Sequence, residues 1–177
     1  MGDKQFLKKE IRLTTFFITI ILLVGILYSD EIGFGSKIKE INSVDINNKK
    51  IEIPEKGKVT VLLFFNVKIT SHQKLVSEFN FFFKNLVDQG KKVDLIYISK
   101  GEPKEFKSLV DKYNIKFRFV NDIDEKILSI FDYSCGECNK IIIIDKESKL
   151  RYNASYIDFY YIKSITDRYD TESRGGK

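Results

Sequence analysis

The sequence predicts an α/β fold, a central mixed β-sheet flanked by helices, with one transmembrane helix at the N-terminus. Three observations carry this expectation. Two largely apolar runs, VTVLLFF and VDLIYIS, have the length of buried strands and enclose a long amphipathic segment, the pattern of a strand-helix-strand unit with parallel pairing. A third run, IIIID, passes through the polar turn KESK into LRYN, the pattern of an antiparallel hairpin. Ahead of all of these, residues 13–28, LTTFFITIILLVGILY, carry no charge.

That N-terminal run follows Lys4, Lys8, Lys9 and Arg12 and precedes Asp30 and Glu31. As a helix it would be ~24 Å long against a hydrocarbon core of ~30 Å, a short membrane anchor or an uncleaved signal segment. No small-x-small cleavage pattern follows it, and no cysteine that could carry a lipid. The basic flank assigns residues 1–12 to the cytoplasm and the chain beyond residue 30 to the outside, periplasm or cell exterior, as a single-pass protein of the cell membrane. In that compartment two cysteines permit one disulfide.

The remaining elements follow in order. Residues 29–37 hold two glycines and no periodicity and read as a linker. The domain spans 38–170. Asn47-Asn48 turns a hairpin between INSVDI and KKIEI, and residues 54–57 close it before the strand at 59–65. Over 71–89, Leu75, Val76, Phe79, Phe82, Phe83, Leu86 and Val87 form a helical stripe, capped by Thr70 or Ser71 and stopped by Gly90. A strand at 93–99 follows. Pro103 opens a second helix whose apolar face is Phe106, Leu109, Val110 and Tyr113. A short strand at 115–120, a short helix at 124–131, a hairpin of 141–144 with 150–153 and a closing helix at 156–169 complete the domain. Residues 171–177 form a flexible tail.

Composition narrows the function classes. At 177 residues, 43% hydrophobic and 31% charged, the chain is one globular domain with an appendage. Its +5 charge is spread among interspersed acidic and basic residues without a basic stripe, so nucleic acid is not an expected partner.

Over residues 40–169 the ordered set VDINNKKIEIPEKGKVTVLLFF, VDLIYIS, FKSLVDKYNIKFRFVND and IIIIDKESKLRY resembles the thioredoxin-like superfamily. Within it, the chain is similar to the membrane-anchored TlpA/ResA-type thiol-disulfide oxidoreductases and the related redoxins. The resemblance implies Trp-Cys-x-x-Cys and a basic residue between the strand ending at Phe65 and the helix after it. Those positions here are Ile69, Thr70, Ser71, His72, Gln73 and Lys74, so the usual dithiol is missing, and Thr70 cannot replace a thiolate without a base. The family's cis-proline falls at Cys138 or Asn139, whereas the chain's prolines are Pro54 and Pro103.

Both cysteines lie in FDYSCGECNKIIIID, as Cys135-Gly-Glu-Cys138 directly before a strand. The resemblance places that loop opposite residues 70–73, as if the dithiol had crossed the site. Three readings follow. In the first, Cys135 and Cys138 exchange thiols and disulfide with a protein partner, Gly136 relaxing the turn, and no cofactor is needed. In the second, the domain is a non-catalytic binding module whose disulfide pins a loop. In the third, His72 joins Cys135 and Cys138 as ligands of Cu(I) or Zn(II), a set similar to that of Sco-type copper chaperones with the placements exchanged.

Overall fold

The computed structural model of the protein describes residues 32–171 except 135, 137 and 156. The expected cytoplasmic segment 1–12, the anchor at 13–28, residues 29–31 of the linker and the tail after 171 lie outside those residues. Among the described residues no helix is long and apolar enough to cross a membrane.

Strands β1 (Ile41–Val44) and β2 (Lys50–Ile53) pair antiparallel as a separate hairpin. The main sheet has the order β5-β4-β3-β6-β7, formed by β3 (Val59–Phe64), β4 (Val93–Ser99), β5 (Arg118–Asn121), β6 (Lys140–Ile144) and β7 (Leu150–Ala154). β3, β4 and β5 run parallel, while β6 pairs antiparallel with both β3 and β7. The sheet is therefore mixed, as the sequence predicts. Every residue of β3 and β4 is buried, which is why both read as largely apolar runs, with Thr60, Asp94 and Ser99 the polar exceptions.

The described residues form four helices, α1 (Thr70–Asp88), α2 (Pro103–Tyr113), α3 (Lys126–Ile130) and α4 (Phe159–Thr171); the first three connect strands and α4 follows β7. Strand alternation sends Val59, Val61, Leu63 and Phe65 to one face, where they cluster with Val76, Phe79, Phe83 and Leu86 of α1 and Ile162 and Ile165 of α4. Leu62 and Phe64 point to the opposite face. There the rings of Phe131 and Tyr133 pack on Phe64 at 5.6 and 5.3 Å.

The two hairpin turns share one design. Asp45 Oδ1 accepts the N–H groups of Asn47 and Lys49, and Asp145 Oδ1 accepts those of Glu147 and Lys149. The fourth residue of each turn, Asn48 or Ser148, sits at positive φ. DINNK and DKESK are thus the same five-residue turn.

Several expected boundaries move. The linker is not free along its length: Gly35 N–H donates to Leu150 O, Leu150 N–H to Ser36 O and Ile38 N–H to Ser148 O, so the segment covers the exposed edge of β7. Neither Thr70 nor Ser71 caps α1; the N-cap is Ile69 and no side chain bonds there. β5 starts at Arg118 instead of residue 115, because Asn114 takes the left-handed conformation that ends α2 and the chain must still reach β4. α3 starts at Lys126, because Asp122 reaches forward and accepts the N–H groups of Ile127 and Leu128, both at 2.8 Å. α4 starts at Phe159, where Asp158 accepts the N–H of Tyr161. Gly90 does end α1, at φ 78°, with its N–H donated to Val87 O.

Candidate functional site

The register of β3 with β6 pairs Phe64 with Lys140, so Cys138 comes two residues before that pair, at the end of β3 from which residues 65–69 lead into α1. Cys138 is exposed and its thiol is free. Cys135 and Glu137 lie outside the described residues.

The backbone around Cys138 is held from three directions. The Tyr133 hydroxyl donates to Cys138 O at 2.8 Å, and the Tyr133 ring is seated on Phe64. Lys140 Nζ donates to the carbonyls of Phe131 and Asp132, fastening the start of the 131–139 loop to its end. Gly136 N–H closes a tight turn on Ser134 O. One polar atom is left over: Asn139 Oδ1 is buried and has no hydrogen-bond partner.

On the other side of the β3 terminus, residues 66–69 are fixed by their own bonds. Asn66 Oδ1 accepts the Lys68 N–H, Asn66 O accepts the Ile69 N–H, and Val67 N–H donates to the buried Ser99 hydroxyl. Gln73 Nε2 donates to Val67 O at 2.8 Å. The loop after β4 presses on this segment so closely that a Cβ at Gly101 would stand 2.6 Å from Val67 Cγ1. α1 then begins without a side-chain cap and without an acidic residue in its first turn, leaving the positive end of its dipole uncompensated by any carboxylate of that turn.

His72 lies in that first turn but is only 3% exposed, and its Nδ1 accepts the Asn66 N–H at 3.0 Å. With Nδ1 accepting, the ring proton sits on Nε2. A metal bound at Nε2 needs that proton moved to Nδ1, where it would meet the Asn66 N–H. Among the described residues no group of three His, Cys, Asp or Glu side chains could hold a metal ion; Cys135, the third member of the expected set, is not among them. The described cis peptide, Ile53–Pro54, lies after β2 and not beside Cys138.

Sequence reading passed over Tyr133, Lys140, Ser99 and Asn66 as site residues. All four act on backbone groups, which no spacing rule reports. Tyr133 is visible only as an aromatic residue five positions before Cys138, between Asp132 and Ser134.

The model of the AhpC/TSA family matches residues 35–153. Among curated proteins no sequence matches significantly. Solved structures share the fold. The thioredoxin domain of a thiol-disulfide oxidoreductase from Bacteroides vulgatus is 16% identical, with 77% of this chain and 98% of that one covered and a TM-score of 0.62. StoA from Bacillus subtilis is 14% identical, with coverage of 72% and 96% and a TM-score of 0.61. A peroxiredoxin-like protein from Aquifex aeolicus is 15% identical, with coverage of 79% and 89% and a TM-score of 0.64. The fold is thioredoxin-like, and with its family model spanning the hairpin, the central sheet and β7, the chain belongs to the AhpC/TSA family.

Proposed function

We propose that the protein exchanges thiols and disulfide with a protein partner through Cys135 and Cys138, outside the cytoplasm and anchored by residues 13–28. The observation that carries this reading is the free, exposed thiol of Cys138 at the end of the sheet where the uncapped α1 begins. A helix N-terminus at that end favours a thiolate electrostatically. Membership of the AhpC/TSA family supports thiol chemistry on this fold, and the basic flank before residue 13 supports the topology. The engagement of His72 Nδ1 by Asn66 favours thiol exchange over a Cu(I) or Zn(II) site.

The chemistry requires only the pair and a partner disulfide. One thiolate attacks a partner sulfur, forming a mixed disulfide and expelling the other partner sulfur as a thiolate, which takes up a proton. The second cysteine then attacks its neighbour's sulfur, closing Cys135–Cys138 and releasing the second partner thiol. Two electrons and two protons pass from the protein to the partner. The reverse sequence oxidises a partner dithiol.

The reduced full-length protein in detergent, mixed with an excess of an aromatic disulfide, tests this. The wild type should release both aryl thiolates of one disulfide and finish as an unmodified chain with an internal disulfide. Cys135→Ser and Cys138→Ser should each release one and keep an aryl adduct. Adducts on both cysteines of the wild type would contradict exchange through a pair and leave the non-catalytic binding module. Protease digestion of intact and opened cells tests the topology: the domain should be cut in cells whose cytoplasmic membrane is still sealed.

A further inference from the structure

We infer that the face formed by α1 and the start of α4 binds a second copy of this chain, two protomers each seating Tyr160 in the other's cavity about a two-fold axis. Helix periodicity explains how the face arises. α1 buries Val76, Phe79, Phe83 and Leu86 against the sheet, which turns Phe81 outward, and α4 buries Ile162 and Ile165, which turns Tyr160 and Tyr161 outward. Phe81 is 69% exposed, Tyr160 89% and Tyr161 51%. Between the helices lies a cavity of about 530 Å³ lined by Ser77, Glu78, Phe81, Phe82 and Phe159. Two of its walls are fixed, since the Phe159 ring packs on those of Phe79 and Phe82 at 5.0 and 5.1 Å.

Shape, size and charge select the occupant. A tyrosine ring projects beside an aromatic-lined hollow on one face, so two copies of the face complement each other and one two-fold rotation fills both hollows. At about 200 Å² a ring, the exposed fractions leave about 400 Å² of aromatic surface uncovered on each protomer. A standard interface buries about 800 Å² per partner, somewhat more than half of it apolar, so these rings supply most of the apolar area such a dimer needs. The charges bordering the face come in opposite-sign pairs: Lys74 with Glu78 at 3.9 Å, Lys163 with Asp167, and Lys84 with Asp88 one turn apart on α1. A border without excess charge neither repels a second copy nor draws an anionic lipid surface or a strongly charged peptide.

The test is sedimentation equilibrium of the full-length protein in detergent, with a reductant present so that no disulfide links two chains. The wild type should fit a reversible monomer-dimer equilibrium. Tyr160→Ser and Phe81→Ser should each weaken it about 10-fold or more, as loss of a buried aromatic anchor does, with the thermal midpoint of the dissociated protomer unchanged. Ile123→Ser, at an exposed apolar residue after β5, should leave the equilibrium as in the wild type. A wild type that stays monomeric, a dimer that Tyr160→Ser and Phe81→Ser leave intact, or one that Ile123→Ser weakens as much overturns the inference. Tyr160→Trp gives the chain its sole tryptophan. Quenching of that tryptophan by brominated lipid in vesicles holding a monomeric protein would assign the face to the bilayer and overturn the inference as well.

Discussion

Replacing Arg118 with methionine removes the guanidinium that bridges Glu55 and Asp94 at the end of the sheet where β3 and β4 begin, opposite to Cys138. Burial pushes the Asp94 carboxyl above its ordinary value even with Arg118 beside it, and the Glu55 charge adds to the rise. Burial also pushes Glu55 upward, but the hydrogen bond from Lys58 and the charge of Arg118 outweigh it and leave Glu55 below its ordinary value. Removing one partner of a fully buried pair costs about 3–5 kcal/mol. Here the Asp94 side chain is 10% exposed but Arg118 and Glu55 are 27% and 30% exposed, so water screens part of the loss. The expected cost at neutral pH is about 2–3 kcal/mol. For a domain of this size that lowers the midpoint by about 7–10 °C.

The pH dependence has a definite sign. A carboxyl whose folded value is raised subtracts stability as pH climbs from its unfolded value through its folded one. Without Arg118 the Asp94 value climbs further, so the variant's penalty is small where Asp94 is protonated and grows toward neutrality. Glu55 works in the same direction, since its lowered value contributes stability above the unfolded value and the variant forfeits the share due to Arg118. Thermal melts of wild type and Arg118→Met at about pH 4.5 and about pH 7.5 measure both effects. The loss should be larger at the higher pH, and adding Asp94→Asn should recover part of it. A loss equal at the two pH values, or under about 0.5 kcal/mol at the higher one, would refute the reasoning.

Three further outcomes are expected. Asp122→Ala removes the carboxylate that accepts two N–H groups of α3, so it should cost about 1–2 kcal/mol and, because α3 leads into the 131–139 loop, speed alkylation of Cys138 by iodoacetamide. Tyr97 is fully buried and its hydroxyl donates to Val76 O; Tyr97→Phe should lose about 1 kcal/mol in urea unfolding. Burial raises the Tyr97 hydroxyl well above its ordinary value, so an ultraviolet titration should show it ionising only with unfolding, and the folded state should lose stability as pH rises past that ordinary value, where the unfolded chain ionises first.

The elements that packing alone decides were legible in the sequence. The unbroken burial of β3 and β4 and the stripe of Val76, Phe79, Phe83 and Leu86 on α1 leave periodic traces. Boundaries set by single hydrogen bonds were not. Asp122 caps α3 from four residues ahead of Lys126, and Asp124, the expected start, stands outside the helix. The linker carries no β-pattern because only its backbone pairs with the β7 edge, while its Phe34 ring lies under the Arg151 guanidinium, which also covers Tyr169. At the site, the residue types were visible and their environments were not. A lone histidine in a first turn says nothing about a buried ring accepting the Asn66 N–H six residues back. Tyr133 acts on a carbonyl, a group every residue possesses, so no motif could have assigned it.

The central claim is that Cys135 and Cys138 form one reversible two-electron couple. Equilibrating the full-length protein with glutathione buffers of graded potential, trapping free thiols with an alkylating agent and counting adducts by mass measures it directly. The account predicts a single transition between no adduct and two, at about −120 to −270 mV, the range of thiol-disulfide exchange proteins. A pair that stays closed below about −300 mV, as structural disulfides do, or that never closes, would contradict it.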